Sequence, residues 1–472
     1  MDLHVSLVGR RDVTGQIYGQ LRQAIVSGVL RPGDRLPPTR ELATRLAVSR
    51  TTVTVAYDRL AGEGFLSSRV GAGTFVSDDV PIAGPEPGPP AGVLRPLPIW
   101  ERVAMPRQRG RRPRYDFRLG RPDPTLFPFE QWRSLVTRQL TPAAAASSGY
   151  GEPAGHEGLR AAIAHHIGTS RAVRATAADV VITNGIQQAI DLIARTLLSP
   201  GDSVAVEDPG YPPSRGQLTA HGAQLVGIAV DDEGIVVDAI PPTVRLVIVT
   251  PSHQFPLGVA MSLRRRVALL RWAEEHDAAI IEDDYDSEFR FGGRPIEPLQ
   301  SLDATGRVVY TGSFSKTMLP SMRLGFLVTP PSLRRALVAA KYVTDWATST
   351  AEQAAMAEFI DRGWFARHLR RMRSTYRRRH EIVSAILAED FADLVKVVPS
   401  AAGLHISAHV PGRAAEEVTA IVRRARADGV DLYALGSFGV RHPRPAGIVL
   451  GYGAISADDI PEGLRVLRAC FD

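Results

Sequence analysis

The apolar positions of this chain follow two different patterns, separated by a stretch that is rich in proline. Over residues 10–78 the apolar residues recur at the spacing of short amphipathic helices, whereas after residue 115 short apolar runs alternate with amphipathic stretches. Between them, residues 79–114 contain nine prolines. Each proline removes a backbone donor and restricts φ, so neither helix nor sheet is expected to continue there. The pattern predicts two folded regions joined by a linker.

The first region is predicted to form three helices followed by a β-hairpin. "GQIYGQLRQAIVSGVL" predicts one helix, and "TRELATRLAVSRTTVTVAYDRLAGEGF" predicts two shorter ones with Thr39 and Ser49 as their N-caps. "FLSSRVGAGTFVS" predicts two strands around Gly71 and Gly73. The residues expected to face the core are Ile17, Leu21, Ala24 and Ile25 in the first helix and Val53, Ala56, Tyr57 and Leu60 in the third. This order of elements is that of a winged helix-turn-helix.

The third helix leaves Arg50, Thr51 and Thr54 on its outer side near its N-terminus. In a helix-turn-helix those positions reach base edges, and nearby hydroxyls and arginines bind phosphate. The residues predicted to contact DNA are Arg40, Arg50, Thr51, Thr52, Arg69, Gly73 and Thr74; for any one of them alone, solvation at the surface is the alternative. The segment "LRPGDRLPPTRELATRLAVSRTTVTVAYDRLAGEGFLSSRVGAGTFV" closely resembles the GntR family of bacterial repressors, which implies a DNA-binding domain.

The second region, residues 115–472, is predicted to be an α/β domain. Near-continuous apolar strands between helices indicate a mostly parallel sheet covered on both faces. A large part, about residues 115–390, is followed by a smaller α+β part, about residues 391–472, with strands in "LHISAHV", "DLYALG" and "GIVLGYG". The strands of the large part are predicted in "DVVIT", "SVAVEDP", "LVIVTP", "AAIIEDDYD", "VVYTGS" and "LGFLVTP".

Charge and composition narrow the range of functions that this chain is expected to have. The formal net charge is +6, of which residues 1–80 hold +2 and residues 81–114 hold +5, leaving about −1 for the rest. A basic front end favours a polyanionic partner. The linker arginines are interpreted as a solvated spacer, with contacts to DNA phosphates as the alternative. A single cysteine, Cys470, excludes an internal disulfide framework, and we expect a cytoplasmic protein because neither a signal peptide nor a membrane-spanning run is evident.

Lysine is rare in this chain, with three lysines against fifty-three arginines, and one of them, Lys316, follows a predicted strand in "GSFSK". A guanidinium stays protonated, whereas a lysine amine can form a Schiff base with an aldehyde. Hydroxyls and an arginine lie close by in sequence, and "IIEDDYDSEF" places three acids and a tyrosine after another strand. These groups match what pyridoxal phosphate needs. Metal binding by the acids is conceivable, but a ligand set cannot be assigned, and no metal site is predicted.

At these residues the second region resembles fold-type I aminotransferases, and the chain from about residue 16 onward resembles the MocR subfamily of GntR regulators. Several motifs carry the resemblance: "YGEPAGHEGLR", "TNGIQQAI", "EDPGYP", "TPSHQFPLG", "EDDYDSEFRF" and "GSFSKTMLPSMRLG". In that subfamily a winged helix-turn-helix precedes an aminotransferase-like domain. The resemblance therefore implies a DNA-binding regulator that binds pyridoxal phosphate and forms a homodimer.

The resemblance also implies roles for individual residues. Lys316 would form the Schiff base, Asp283 would pair with the ring nitrogen, and Tyr285 would hydrogen-bond the ring oxygen. His253 and Gln254 occupy the place of an asparagine near that oxygen, and Gln254 is predicted to bind the cofactor. Tyr211 would stack on the ring, and Tyr150 would reach the cofactor phosphate of a neighbouring subunit. The remaining predicted phosphate ligands are Gly185, Ile186, Ser313, Ser315 and Arg323.

One feature of this sequence departs from the pattern of the fold-type I aminotransferases. They usually hold the substrate carboxylate with an arginine in or beside the last strand, where this chain has "AGIVLGYGAI". Arg441 and Arg444 precede that strand and could substitute only if their loop folds inward. The departure favours a regulator that senses pyridoxal phosphate or an amino-acid-like effector, and it favours pyridoxal phosphate itself over an ordinary amino acid. The alternative is an active aminotransferase that carries a DNA-binding domain.

Overall fold

The structure is a computed structural model that describes residues 7, 12–69, 73–77, 94–103, 105, 113–142, 149–292, 297–440 and 443–472. The chain divides into two compact units, residues 1–96 and 97–472. The division falls within the predicted linker, residues 79–114, most of which lies outside the described residues. The domain bounds expected from the sequence stay a prediction. No helix in the described ranges is both long and apolar enough to cross a membrane.

The first unit has the predicted order of elements. Its helices and strands are α1 (Val13–Val26), α2 (Thr39–Arg45), α3 (Arg50–Gly62), β1 (Leu66–Arg69) and β2 (Gly73–Val76), with β1 and β2 paired antiparallel. The side chains of α1 and α3 that the pattern assigned to the core are buried, apart from Ala24, which is half-buried. Gly71 of the predicted wing lies outside the described residues.

One predicted cap of this unit is confirmed and the other is wrong. The Ser49 Oγ accepts a hydrogen bond of 3.1 Å from the Thr52 N–H and so caps α3. Thr39 is already the first helical residue of α2, and the N-cap position belongs to Pro38, whose side chain makes no capping bond. Pro38 has an extended backbone, with φ −54° and ψ 142°, so the chain enters the helix one residue earlier than the hydroxyl pattern indicated.

The second unit is built on an eight-stranded, mostly parallel sheet, as predicted. Its order is β4-β11-β10-β9-β8-β5-β6-β7, in which β11 is antiparallel to both of its neighbours and β7 is antiparallel to β6. These strands are β4 (Val180–Thr183), β5 (Ser203–Asp208), β6 (Gln224–Asp231), β7 (Gly234–Ile235), β8 (Val244–Val249), β9 (Ala279–Asp284), β10 (Val308–Ser313) and β11 (Gly325–Val328).

A smaller layer follows, in which β12, β13, β16 and β15 form a four-stranded sheet and β14 pairs with β3. The strands are β3 (Tyr115–Asp116), β12 (Lys396–Val397), β13 (His405–His409), β14 (Val430–Asp431), β15 (Tyr433–Ala434) and β16 (Gly447–Gly451). The helices of the second unit are α4 (Phe129–Gln139), α5 (Glu157–Arg171), α6 (Ile186–Leu197), α7 (Pro212–Ala220), α8 (Leu263–Glu275), α9 (Leu299–Leu302), α10 (Arg334–Asp345), α11 (Thr350–Asp361), α12 (Trp364–Asp390), α13 (Ala415–Ala427) and α14 (Ile460–Ala469).

The topology brings several strand ends to one edge of the large sheet. Strands β4, β5, β9 and β10 all run in the same direction, so their carboxyl ends share that edge. The antiparallel strand β11 begins there, and Gly325 is in register with Thr183 on one side and with Ser313 on the other. Ligands of open α/β sheets bind outside such ends. The candidate site is therefore expected at this edge.

Candidate functional site

Lys316 lies in the turn that follows β10 and is half-buried. Its Nζ donates a hydrogen bond of 3.0 Å to the carbonyl oxygen of Gly120. A Cβ on Gly120 would stand 2.7 Å from that nitrogen, and the φ of +70° also favours glycine there. Burial lowers the pKa of Lys316, against the opposing effect of the carboxylates Asp286 and Asp283. A lysine with a lowered pKa supplies more of the neutral amine that attacks an aldehyde.

Asp283 is a buried acid near the end of β9 that is suited to bind a ligand. Its side chain is 6% exposed, and its Oδ1 has no hydrogen-bond partner among the described residues. Burial, followed by the neighbouring Asp284, raises the pKa of Asp283 to about 8. A buried oxygen without a partner is costly unless something binds it. A protonated ring nitrogen would supply the missing donor.

Tyr285 and His253 form one hydrogen-bonded group with Asp286. The Tyr285 hydroxyl donates to the His253 carbonyl oxygen at 2.9 Å and lies 3.0 Å from the His253 Nδ1. That nitrogen is also 3.1 Å from both carboxylate oxygens of Asp286. Burial raises the pKa of Tyr285 well above its usual value, so the phenol keeps its proton. The hydroxyl is thereby held as a hydrogen-bond donor.

Gln254, predicted as a cofactor contact, is committed to the protein around it. Its Nε2 donates to the backbone oxygens of Pro209 and Phe255 at 2.9 and 2.7 Å, and lies 3.2 Å from the Glu207 Oε2. Its Oε1 accepts from the Leu257 N–H at 3.1 Å. The amide therefore finds its hydrogen-bond partners in the surrounding protein. None of these partners is a residue predicted to bind the cofactor.

The predicted phosphate ligands come together around the start of α6. Gly185 is the N-cap residue with φ 79°, and Ile186 begins the helix. The Arg323 Nη2 donates to the Asn184 carbonyl oxygen at 2.8 Å, and a Cβ on Gly185 would lie 3.0 Å from that same Nη2. A helix N-terminus beside a guanidinium suits a phosphate dianion.

The two serines of this group lie in the loop after β10. The Ser313 Oγ donates to the Ser315 Oγ at 2.8 Å and accepts from the Ser315 N–H at 3.1 Å. Both residues are half-buried. The pair keeps two hydroxyls within the loop that also carries Lys316.

Gly325→Ala is expected to disturb this cradle. The added Cβ would stand 2.8 Å from the Gly185 Cα and 3.0 Å from the Gly312 carbonyl oxygen, and neither backbone atom can move away as a flexible side chain can. We expect a loss of about 2 kcal/mol in the free energy of unfolding together with weaker cofactor retention, measured by thermal unfolding and by dialysis. Gly216→Ala, on α7, is the control, because a Cβ there would meet only the Val103 Cγ1 at 3.7 Å, an ordinary contact. The control should keep both its stability and its cofactor.

The two aromatic residues with predicted contacts lie in different surroundings. The Tyr211 ring packs edge-on against Phe255, with centroids 5.5 Å apart. Burial, followed by the charge of Asp283, raises the pKa of Tyr211 to about 12, so the phenol keeps its proton. Tyr150 is 82% exposed and touches Trp346, with centroids 5.0 Å apart. Its exposure leaves Tyr150 accessible to another chain, in keeping with the role predicted for it.

Sequence reasoning gave no role to Asp286 and His405, because no local pattern identifies them. His253, Asp286 and His405 are buried and offer ligand atoms within 4.8 Å of one another. The His253 Nδ1 is already bonded to Asp286, and the His405 Nε2 is 2.9 Å from the Pro256 carbonyl oxygen. These bonds engage the His253 Nδ1 and the His405 Nε2, whereas the buried His253 Nε2 has no hydrogen-bond partner among the described residues. Gly120 was also missed, since it is nearly 200 residues from the lysine it contacts.

A second missed group lies behind the start of α6. Asp345 accepts hydrogen bonds from the Asn184 Nδ2 at 2.7 Å and from the Gln188 Nε2 at 2.8 Å. Its other oxygen accepts from the Nζ of the fully buried Lys341 at 2.5 Å. Lys341, one of the three lysines, is therefore a buried structural lysine that fixes the loop carrying Gly185.

The structure supplies no arginine from the last strand. β16 is buried along its whole length and contains none. Arg444 is exposed and lines a cavity of about 600 Å³, together with Asp208, Asp232 and Lys396. Arg441 lies outside the described residues. The departure seen in the sequence therefore persists, because β16 contains no arginine and Arg444 lines that cavity with its side chain exposed.

On the first unit, the residues predicted to contact DNA whose burial is described are exposed or half-buried. Arg40, Arg50 and Thr51 are exposed at the starts of α2 and α3, and Thr74 is half-buried. Thr52 takes part in the cap of α3, with its Oγ1 2.7 Å from the Ser49 Oγ. The backbone of Arg69 lies in β1, and Gly73 has φ 118° at the start of β2.

Arg35 is an exposed residue of this surface that the sequence did not single out. A Cβ on Gly73 would lie 3.0 Å from the Arg35 Nε, so this guanidinium sits against the wing. Arg35 also forms an isolated antiparallel bridge with Phe75. No periodicity distinguished it from other loop arginines.

Two family models match the chain. "Bacterial regulatory proteins, gntR family" covers residues 13–76, and "Aminotransferase class I and II" covers residues 118–440. Among proteins of similar sequence is the probable rhizopine catabolism regulatory protein MocR of Rhizobium meliloti, which is 39% identical over 97% of this chain and 93% of its own length. The HTH-type transcriptional regulator TauR of Rhodobacter capsulatus is 36% identical over 96% of each chain.

The pyridoxine biosynthesis transcriptional regulator PdxR of Corynebacterium glutamicum is 31% identical over 94% of this chain and 93% of its own. Among solved structures, a kynurenine aminotransferase of Pyrococcus horikoshii in complex with PMP is similar with a TM-score of 0.69 and 30% identity, over 75% of this chain and 90% of that one. The α-aminoadipate aminotransferase LysN of Thermus thermophilus gives a TM-score of 0.68 and 28% identity, over 75% of this chain and 91% of its own.

Proposed function

The chain belongs to the MocR subfamily of GntR-type transcriptional regulators, and we propose that it binds operator DNA through its first unit and pyridoxal 5'-phosphate through its second. The observation that carries the cofactor assignment is the unpartnered Asp283 Oδ1, buried at the same strand edge as a lysine with a lowered pKa. A buried acid without a hydrogen-bond partner destabilises the cofactor-free protein. Binding of a cationic ring nitrogen would offset that cost.

The residues fit the cofactor part by part. Lys316 would bind its aldehyde, Asp283 its ring nitrogen and Tyr285 its ring oxygen, while Tyr211 would pack against the ring. When bound, the cofactor supplies an electrophilic carbonyl and an electron-withdrawing ring. The phosphate would be held by Gly185, Ile186, Ser313, Ser315 and Arg323. The His253–Asp286 pair would hold Tyr285 in place, and Gln254 would support the wall of the site instead of touching the ring.

The function is sensing. A regulator responds to a ligand only if the ligand binds two of its arrangements with different affinities. The absence of an arginine in β16 favours pyridoxal phosphate itself, or an amino-acid-like compound, as the effector over a substrate that is turned over. The exposed Tyr150 supports a homodimer in which each subunit completes the phosphate site of the other.

Amino transfer is the second candidate function, favoured by one observation. Lys316 follows β10, the strand that pairs with β9 at Asp283, so the amine and the carboxylate belong to neighbouring strand ends, the arrangement that catalysis would also need. Incubation with amino acids and 2-oxo acids, followed by product analysis, tests it. Turnover at the rate of the enzymes of this fold would make the protein an aminotransferase with a DNA-binding unit.

The effector is tested by one combined measurement. The absorption spectrum of the purified protein is recorded with a panel of amino acids while binding to the DNA upstream of its own gene is followed. A band that shifts with one amino acid, alongside altered DNA binding, identifies an amino-acid sensor. An unshifted band, with DNA binding that depends on added pyridoxal phosphate, identifies the cofactor as the signal.

Arg50→Ala tests the DNA-binding surface. Arg50 is exposed at the first position of α3, where a recognition helix reaches bases or phosphates. We expect a loss of about tenfold or more in operator affinity, measured by fluorescence anisotropy at fixed salt, because one good contact contributes about 1–3 kcal/mol. Cofactor uptake should not change.

The matched control is Arg22→Ala. Arg22 is an exposed arginine of the same unit, on α1, with its guanidinium over the Phe65 ring. This substitution removes one positive charge, as Arg50→Ala does, but at a position outside α3. Operator affinity should therefore fall far less. Equal losses in the two variants would remove Arg50 from the reading surface.

A further inference from the structure

A stripe of arginines runs along the outer face of α12, the longest helix of the second unit. It consists of Arg367, Arg370, Arg371, Arg377 and Arg378, all of them exposed. Their spacing of three, four, ten and eleven residues from the first keeps them on one side of a helix, over about 16 Å. The buried side chains of α12 occupy the opposite side, among them Phe365, Leu369, Met372, Tyr376 and Val383.

Positive charge is concentrated in this stripe, whereas the second unit as a whole is almost neutral. Residues 364–380 contain seven arginines and no acid, whereas residues 115–472 together hold about −1. The two arginines outside the stripe are used internally. Arg373 donates to the Glu288 carbonyl oxygen at 2.5 Å, and the buried Arg379 pairs with Asp123. The five exposed arginines have no ion-pair partner within the described ranges of the chain.

Elsewhere in this chain, five exposed arginines in or next to a helix pair with an acid one turn away. The pairs are Arg45–Glu41, Arg59–Glu63, Arg195–Asp191, Arg362–Glu358 and Arg465–Glu462. Such pairs stabilise a helix, whereas like charges three or four residues apart destabilise it. The stripe repeats the unfavourable arrangement, with Arg371 four residues after Arg367 and Arg370 three residues after it. An ordinary solvated face does not explain that pattern, and a polyanion lying along it would.

We infer that this stripe is a second DNA-contacting surface, which binds the phosphate backbone of DNA flanking the segment that the winged helix-turn-helix reads. The inference rests on the proposed DNA binding and extends it to the aminotransferase-like unit. Duplex DNA carries one negative charge for about every 1.7 Å of its axis with both strands counted, so 16 Å of duplex beside the stripe carries roughly ten of them in all. Guanidinium groups hold phosphates bidentately. Contacts of this kind carry no sequence information and add affinity and salt dependence.

The test compares short and long DNA. One labelled duplex spans only the protected operator defined by footprinting, and another adds about 20 base pairs of unrelated sequence on each side. For Arg377→Ala/Arg378→Ala we expect a loss on the order of tenfold in affinity for the long duplex and a decrease of about two in the salt slope. On the short duplex, affinity should stay within about twofold of the unaltered protein. Arg370→Ala/Arg371→Ala should behave in the same way.

The matched control is Arg271→Ala/Arg423→Ala. These are exposed arginines on α8 and α13, without an ion pair in the described part of the chain, so the same charge is lost elsewhere. It should bind both duplexes as the unaltered protein does. Equal behaviour of control and stripe variants on long DNA would overturn the inference while leaving operator binding intact. Failure of the unaltered protein to bind the short duplex would instead overturn the proposed DNA binding, and the inference with it.

Discussion

Lys316→Ala is expected to abolish the visible absorbance band of lysine-bound pyridoxal phosphate. Of the three lysines, Lys316 alone is half-buried at the carboxyl edge of the large sheet, with its Nζ on the Gly120 carbonyl oxygen and its pKa lowered by burial. Alanine removes the only amine that the described residues of the site offer to an aldehyde. The full loss of the band, read on protein dialysed against free cofactor, is the expected result.

The same substitution is expected to leave a weaker, reversible affinity for the cofactor. The phosphate cradle around Gly185 and the carboxylate of Asp283 remain in place, so the ring and phosphate contacts persist without the covalent bond. Binding followed by quenching of protein fluorescence should therefore weaken but not vanish. Complete loss of binding together with a lower melting temperature would indicate that Lys316 supports the fold, which would contradict the assignment of a covalent role.

Lys396→Ala is the control for this experiment. Lys396 is an exposed lysine on β12, and it lines the cavity that also contains Arg444. Its loss removes one lysine without touching the strand edge. The absorbance band should persist unchanged. A band that survives in Lys316→Ala but is lost in Lys396→Ala would transfer the covalent role to the second lysine.

The sequence predicted the elements of the fold better than their arrangement. Each apolar run named as a strand of the large sheet is a strand in the structure, because a fully buried strand needs an unbroken apolar stretch. Strand β6 was not named, although residues 225–230 are also an unbroken apolar run, and most of its side chains are only half-buried. The antiparallel direction of β11 could not be predicted, since apolar runs carry no information about strand direction.

Some residues of the candidate site could be proposed from the sequence, and others could not. Lys316, Asp283 and Tyr285 could be proposed from sequence, because each belongs to a short motif next to a strand end. Their partners come from distant segments, as Gly120 does for Lys316 and His253 does for Tyr285, and only the folded chain brings them together. The contact of Gln254 with the cofactor stays a prediction. Its place in a motif suggested a contact with the cofactor, whereas its amide is satisfied by Pro209, Phe255 and Leu257.

Asp283→Asn is expected to stabilise the cofactor-free protein and to weaken its hold on the cofactor. Burial raises the pKa of Asp283 to about 8, compared with about 3.9 in an unfolded chain. Between those values the folded protein binds a proton that the unfolded chain has lost, so the stability contributed by this group falls as the pH rises. The slope is about 1.4 kcal/mol per pH unit. Asparagine cannot ionise and escapes that loss.

The difference between the two proteins should therefore depend on pH. Near pH 4 the protonated acid and the amide are alike, and the melting temperatures of the cofactor-free forms should nearly coincide. From about pH 4 to pH 8 the variant should become progressively the more stable, with no further change above that range. Thermal unfolding of both proteins, stripped of cofactor and measured across this range, gives the comparison directly.

Addition of pyridoxal phosphate should reverse the order. The unaltered protein gains a charge-assisted hydrogen bond from the ring nitrogen to Asp283, which the amide of the variant cannot match. We expect the variant to bind the cofactor about 100-fold less tightly, because an ionic hydrogen bond in a buried site contributes about 1.5–3 kcal/mol. At pH 8 the variant should then be the more stable protein without cofactor and the less stable one with it.

Asp284→Asn separates this role from a purely structural one. The Asp284 Oδ2 accepts hydrogen bonds from the Arg171 Nε at 3.0 Å and from the Tyr310 hydroxyl at 2.6 Å. Removing that charge leaves Arg171 without its buried partner, so the variant should be destabilised with or without cofactor. If Asp283→Asn behaved like this neighbour, losing stability in both forms at every pH, then Asp283 would be a structural acid and the cofactor assignment would lose its main support. The reversal of sign distinguishes an acid that waits for a ligand from one that holds the fold.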